Sequence, residues 1–284
     1  MHLLSTVDQI KQGLDEMTKS ERKVAAYFLG HPNDFAFYTL DKIAAQIGVS
    51  TTTVLRFCRR LEFEGFKDFQ EKLRTDIKHQ PNLPEKFQRT AEYSASNELL
   101  NKTVQTGILC LRQSFQEIPC DALEDALKRI SSARRVFTFG MKESYALAHY
   151  LYTRLLAVRK DVYILNAGYN AEVESILSLT EEDVCVVFAF HRYSAQTLQI
   201  LPMLRRQGAA VIVITSEPFD QVEPYATLLL PCRVDAGGIK NTAIAPICLS
   251  DYLCNAVAVL RGNDALEHMR KQEALYRSIS TLGS

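Results

Sequence analysis

Apolar residues recur every three or four positions through the first quarter of the chain, a period that predicts amphipathic helices. Leu3 or Leu4, Val7, Ile10, Leu14 and Met17 mark the first helix. Thr18-Lys19-Ser20-Glu21 has capping-box spacing, with Thr as N-cap and Glu three places on. The helix that follows buries Val24, Ala25, Phe28 and Leu29 and ends near Gly30, with Pro32 just beyond. Thr39 caps a third helix, whose buried face is Leu40, Ile43, Ala44 and Ile47. Gly48 then supplies a residue that enters the left-handed region without steric cost. Ser50 is suited to cap the next helix, because its hydroxyl can satisfy a free amide. Val54 and Phe57 give that helix a buried side and leave Thr51, Thr52, Thr53, Arg56, Arg59 and Arg60 facing outward. Phe63, Phe66, Phe69 and Leu73 predict one more short helix, so residues 1–78 form an all-helical domain.

Residues 79–84, HQPNLP, read as a linker, since two prolines break helix and stiffen an extended path. Leu100, Val104, Ile108, Leu111, Phe115 and Ile118 then predict a long helix, closed by Pro119, that covers the next domain or pairs with its twin. From Asp121 the pattern changes. Arg134–Phe139, Val162–Leu165, Val184–Phe188, Ala210–Thr215 and Thr227–Leu230 are short apolar runs separated by helical stretches such as Ser144–Ala157 and Ala195–Gln207. Strands apolar on both sides and alternating with helices imply a parallel sheet covered on both faces. Five of them predict a doubly wound, flavodoxin-like α/β domain over residues 85–284. The stretch from Thr242 is helical again and nearly all apolar, which buries it against the sheet or a partner.

Leu40 to Arg60 has the shape of a helix-turn-helix, with a small Ala44 and a Gly48 that let two helices cross closely. An ordinary helical hairpin with a solvated basic face is the competing reading. Charge favours the DNA reader locally rather than globally. Lys plus Arg and Asp plus Glu are both 33, so the chain is not a general nucleic-acid coat. Thr51 to Arg60 nevertheless holds three Arg and no acid. Thr51, Thr52, Thr53 and Arg56 are the candidates for base edges, and Arg59 and Arg60 for phosphates. Seven Cys without a CxxC pair fit neither a disulfide framework nor a zinc site, which points to a reducing cytoplasm. Cys58 is expected to be a small buried hydrophobe rather than a redox sensor. No run reaches the roughly eighteen apolar residues that cross a bilayer, and the N-terminus lacks signal-peptide character.

The runs SERKVAAYFLGHP and LDKIAAQIGVSTTTVLRFCRRLEFEGFKDFQEKL resemble the N-terminal domain of the RpiR family of bacterial transcriptional regulators. The resemblance rests on Ser20-Glu21-Arg22, Ile43-Ala44, Val49-Ser50, Thr53-Val54, Arg56-Phe57-Cys58 and Gly65-Phe66. Glu62 departs from it, standing where family members usually carry Gly. The second domain is similar to the family's sugar isomerase (SIS) domain, which implies a sensor of a phosphorylated sugar or related metabolite. Its ligand loops differ. Gly140-Met141-Lys142-Glu143-Ser144 keeps the first Gly and the Ser of Gly-x-Gly-x-Ser, with Lys142 in place of the second Gly. Phe190-His191-Arg192-Tyr193-Ser194-Ala195 has lost most of the hydroxyls of Ser-x-Ser-Gly-x-Thr.

The second loop still suits an anion, because it precedes a helix whose free amides and dipole favour negative charge. Lys142, Ser144, His191, Arg192, Tyr193 and Ser194 are the candidate ligand residues: Arg192 as a bidentate fork, Ser194 as a helix cap, Tyr193 as a wall. Lys240-Asn241-Thr242 can close the site. Plain alternatives stand beside these: Arg192 as an interface ion pair, His191 as a loop residue, Ser194 as an N-cap alone. The expectation is a cytoplasmic regulator with no cofactor and no metal. Its partners are a palindromic double-stranded operator, a small acidic metabolite and one or three further copies of itself, with no membrane. The alternative is a sugar phosphate isomerase or lyase, for which Glu143, Glu172 and His191 are the available bases. No Walker loop, HExxH or dinucleotide glycine triplet supports nucleotide or zinc chemistry.

Overall fold

The computed structural model describes residues 10, 13–14, 17–30, 32–78, 83–91, 93, 97–166, 174–235 and 237–281. The chain divides into two compact units, Met1–Asn82 and Leu83–Ser284. Most of the expected first helix, the linker residues 79–82 and Glu172 lie outside the described residues.

In the first unit, α1 (Lys19–Gly30), α2 (Pro32–Phe37), α3 (Leu40–Ile47), α4 (Thr51–Arg60) and α5 (Phe66–Lys78) pack around one aromatic core. Thr18 and Glu21 form the capping box: the Thr18 amide donates to Glu21 Oε2 at 2.9 Å and the Glu21 amide to Thr18 Oγ1 at 3.3 Å. Phe28, Phe35, Phe57 and Phe69 are fully buried. The rings of Phe28 and Phe35 meet edge to face at 5.2 Å, and those of Phe35 and Phe69 at 5.9 Å, the geometry aromatic pairs prefer. Helix α2 is an element the periodicity does not announce. Pro32, which reads as a terminator in the sequence, is its first residue, where a missing amide costs nothing and φ is already helical.

In the second unit, α6 (Leu83–Ala91), α7 (Asn97–Glu117) and α8 (Cys120–Ser132) precede the sheet. Leu83 and Pro84, assigned from sequence to the linker, open α6. Strands β1 (Val136–Gly140), β2 (Val162–Leu165), β3 (Val184–Phe188), β4 (Ala210–Thr215) and β5 (Leu228–Pro231) are all parallel in the order β2-β1-β3-β4-β5. Helix α9 (Glu143–Leu156) joins β1 to β2, α10 (Ala195–Arg206) joins β3 to β4, and α11 (Ile244–Arg261) and α12 (Asn263–Thr281) close the chain. Alternate strand residues face opposite layers. Val136, Val184, Val186 and Phe188 meet α8, α9 and α11, while Phe137, Phe139, Cys185 and Val187 meet α10. The sheet is thus covered on both faces, as its uninterrupted apolar strands require.

Helix α11 corrects one expectation from sequence: over 18 residues its mean hydropathy is 1.3, long and apolar enough to cross a membrane by composition. Its packing explains part of that composition. Leu249, Leu253, Cys254 and Val257 are buried in the layer shared with α8 and α9, the place of a core helix.

Candidate functional site

Two groups of candidate residues stand in the two units. In the first, Gly48 ends α3 at φ +71°, and its amide and that of Val49 return to the last carbonyls of that helix. Such a left-handed terminus turns the chain sharply into the next helix. Ser50 then caps α4: its Oγ accepts from the Thr53 amide at 3.2 Å and lies 2.9 Å from Thr53 Oγ1. Val54, Phe57 and Cys58 face the core. Burial holds the Cys58 thiol up at about 12, so it stays protonated as a packing group. Thr52, Arg56, Arg59 and Arg60 are exposed, and Thr51 and Thr53 half-buried, along the outer face.

The arginines on that face are not equivalent. Arg60 Nη2 lies 3.5 Å from Glu21 Oε2, whereas Arg56 and Arg59 form no ion pair among the described residues. After Leu61 the chain turns through Glu62 at φ +67°, a left-handed position that explains why a Gly suits it better.

In the second unit, Gly140 at the end of β1 pairs in register with Phe188 at the end of β3. The helices that follow these neighbouring strands lie on opposite faces of the sheet, so the β1 and β3 ends form a topological switch point, the place where open α/β sheets bind ligands. Gly140 is required by contact: a Cβ there would meet the Ser144 carbonyl oxygen at 2.3 Å. Lys142 is exposed and adopts φ +54° and ψ −120°, backbone in which glycine alone is at ease. Ser144 is half-buried in the first turn of α9. Glu143, one of the bases that the sequence makes available, is held instead in an ion pair with Lys240. That pair brings the Lys240 segment over the start of α9.

At the end of β3, Ser194 caps α10, accepting from the Thr197 amide at 3.1 Å. Tyr193 turns inward and donates to the Pro218 carbonyl at 2.9 Å, with Thr215 Oγ1 3.2 Å away. It therefore fastens the loop to the end of β4. Burial, the largest influence, pushes its hydroxyl pKa up, so it remains a neutral donor. His191 is half-buried, its ring edge-to-face with Tyr193 at 5.7 Å. Burial and the neighbouring Arg192 lower its pKa against the pull of Asp220, and its Nδ1 is buried without a hydrogen-bond partner among the described residues. Arg192 is exposed. The arrangement offers one exposed guanidinium, one exposed ammonium and two helix N-termini to an anion. It places no free carboxylate base among the described candidates.

Sequence reasoning missed the Glu143–Lys240 pair and the anchoring role of Thr215, since both join segments far apart in the chain. At the opposite, amino end of the sheet a cleft of about 400 Å³ is lined by Arg129, Arg134, Glu181 and Glu182. Its cations are already engaged: Arg129 with Asp125 at 3.0 Å and Arg134 with Asp183 at 2.7 Å.

Residues 4–80 match the helix-turn-helix domain of the rpiR family, and residues 129–249 match the SIS domain. An uncharacterised HTH-type transcriptional regulator of Haemophilus influenzae is 24% identical over 96% of this chain and 95% of its own. The regulator HexR of Escherichia coli is 23% identical over 97% of this chain and 96% of its own. Among solved structures, the Vibrio vulnificus NanR protein complexed with ManNAc-6P covers 96% of this chain and 98% of its own at 17% identity, with a TM-score of 0.55.

Proposed function

As this chain belongs to the RpiR family of transcriptional regulators, with a helix-turn-helix domain and a SIS domain, we propose that it binds an operator through α4 and releases or holds it according to a small acidic metabolite at the β1–β3 switch point. One observation carries the reading. Helix α4 buries Val54, Phe57 and Cys58 and keeps Thr52, Arg56 and Arg59 exposed beside a serine-capped start. That is a helix built to be read from outside. In this reading Thr51, Thr52, Thr53 and Arg56, behind the Ser50 cap, meet base edges, and Arg59 meets a phosphate.

The metabolite is a phosphorylated sugar or a carboxylate of similar size. NanR, of the same overall fold, is complexed with a phosphorylated sugar, and this supports the class without fixing the member. Arg192 and Lys142 carry the positive charge, Ser144 and Ser194 stand at the two helix starts, and His191 and Tyr193 wall the loop. The domain binds and does not turn its ligand over, a reading supported by the tie between Glu143 and Lys240. A regulator of this kind works in the cytoplasm.

A second copy completes the reader, because two half-sites about 34 Å apart need two helices. Leu100, Val104 and Ile108 on α7 are 60%, 50% and 45% exposed, and Val259 and Leu260 on α11 are 79% and 55% exposed, an apolar surface fitted to self-association.

The test is selection of duplexes from a random pool by the full-length protein, repeated with Arg56→Ala. A palindromic sequence that the variant no longer enriches is the expected result. Failure to enrich any sequence at low salt as well as high overturns the reading. Arg192→Ala is expected to abolish the response of the bound operator to phosphosugars while leaving the enriched sequence unchanged.

A further inference from the structure

Glu21 joins the start of one helix to the end of another. It is 5% exposed, and its Oε2 accepts from the Thr18 amide and the Thr18 hydroxyl, each at 2.9 Å. The same oxygen lies 3.5 Å from Arg60 Nη2 in the last turn of α4. A capping box by itself asks only for Glu or Gln at this place, and needs no cation. Here the carboxylate is buried, and a buried charge is tolerated when it is both hydrogen-bonded and paired. Thr18 provides the first and Arg60 the second.

The consequence falls on α4. Its apolar contacts through Val54, Phe57 and Cys58 hold the helix against the core, but hydrophobic contact is non-directional. A guanidinium fixed on one carboxylate oxygen adds a directional tie that sets the roll of the helix about its axis. Arg59 and Arg60 are neighbours in sequence, yet successive helical side chains point about 100° apart. Only Arg60 reaches Glu21, and Arg59 stays exposed.

Resting on the reading that α4 binds DNA, we propose that Glu21 is a positioning residue of the DNA reader: it engages Arg60 as an internal tie, fixes the presentation of Thr51 to Arg56, and leaves Arg56 and Arg59 as the cations of this helix that meet DNA. The two adjacent arginines thus have different tasks. A cation already neutralised by a protein carboxylate releases no counterion when DNA binds, whereas a free one that meets a phosphate does.

The experiment uses the full-length protein as wild type, Arg59→Gln, Arg60→Gln, Glu21→Gln and the Glu21→Gln/Arg60→Gln double variant. Affinity is measured against salt concentration for a 30-base-pair duplex of mixed sequence and for the duplex enriched by the wild type. Thermal melting is followed without DNA. Arg59→Gln is expected to reduce the slope of log affinity against log salt by ~0.9 per subunit and leave melting unchanged. Arg60→Gln is expected to keep the wild-type slope, and both Arg60→Gln and Glu21→Gln to melt earlier. They should also lose roughly ten-fold in preference for the enriched duplex over the mixed one, about the worth of one base-pair contact. The double variant should be no worse than the worse single, because both remove one tie.

Arg60→Gln that lowers the salt slope as much as Arg59→Gln, with melting unchanged, overturns the proposal and makes Arg60 a phosphate contact. Wild-type protein that binds neither duplex overturns the DNA reading itself, and the proposal falls with it. The two failures are therefore distinct. A variant that merely loosened the fold, measured well below its melting temperature, would move neither the slope nor the preference.

Discussion

Helices α4 and α10 begin with the same device. In each, a serine Oγ accepts from the amide of a threonine three places on, at 3.2 Å for Ser50–Thr53 and 3.1 Å for Ser194–Thr197, and the two hydroxyls lie 2.9 and 2.8 Å apart. The settings differ. Before Ser50 the chain leaves a left-handed Gly48, and the candidate residues follow the cap along an exposed helix face. Before Ser194 the chain leaves the end of β3, and the candidate residues His191, Arg192 and Tyr193 precede the cap in a loop pinned to β4. In the proposed reading, one cap thus serves a helix that is read from its side and a helix approached from its end. The cap fixes where a helix starts; its surroundings decide what the start is for.

The greatest loss should come from what holds the second setting in place. Asp183, fully buried at the foot of β3, accepts from Arg134 and Arg135 Nη2 at 2.7 and 2.8 Å and from the Thr180 amide at 2.9 Å. Asp183→Asn should cost about 3 kcal/mol in urea denaturation, because it weakens the charge-assisted hydrogen bonds that a buried carboxylate accepts. Burial raises the Asp183 pKa, but the hydrogen bonds from both arginines and Thr180 outweigh it and hold the carboxyl well below the usual range. A lowered native pKa contributes stability that is complete above the ordinary carboxylate range and is lost as pH falls toward the native value. Wild-type and Asp183→Asn curves should therefore converge in strong acid and separate near neutrality. A constant gap at all pH values would contradict this.

Next comes Gly140→Ala. The added methyl would meet the first turn of α9 at 2.3 Å, backbone that cannot swing aside. About 2 kcal/mol of destabilisation is expected, together with loss of the ligand response. Urea denaturation and a thermal shift with phosphosugars check the two parts. If the variant is as stable as wild type, the close approach of β1 and α9 is not what shapes the switch point.

Ser50→Ala and Ser194→Ala put the two caps side by side. Each should cost about 1 kcal/mol, the worth of an N-cap. Equal losses of stability should accompany unequal losses of function: operator affinity falls in the first, metabolite response in the second. A Ser194 variant that weakens operator affinity in the absence of metabolite as much as the Ser50 variant would dissolve the contrast.

The mildest effect has the opposite sign. Glu62→Gly relieves a left-handed backbone at φ +67° and should stabilise the first unit by about 0.5 kcal/mol, since the relief is partly offset by the greater chain entropy lost by glycine. The midpoint of urea denaturation should rise slightly, with operator affinity unchanged.

Much of the fold is legible in the sequence because its signals are local. Thr18 with Glu21, Thr39, Ser50 and Ser194 each sit within three residues of the amide they satisfy, and all read as caps. The five strands read as apolar runs because a sheet covered on both faces leaves them no polar side. Helix α2 does not, since a six-residue helix is too short to display a period and its opening Pro32 also reads as a stop. In the candidate ligand loops the residue types are plain from the sequence, but their state is not. The pairing of Glu143 with Lys240 spans 97 residues, and the Tyr193 contact with Thr215 spans 22.

Where the capped helices begin, that the strands form a doubly wound sheet, and which helix carries a basic outer face are settled by the order of residues. Those properties follow from hydrogen bonds and apolar periods within a few residues of each other. It takes the folded chain to show that Arg60 answers to Glu21, that Asp183 gathers two arginines, and that Lys142 holds a backbone suited to glycine. Charges find partners by distance in space, and a backbone is bent by the elements packed around it. Neither is written along the chain until it has folded.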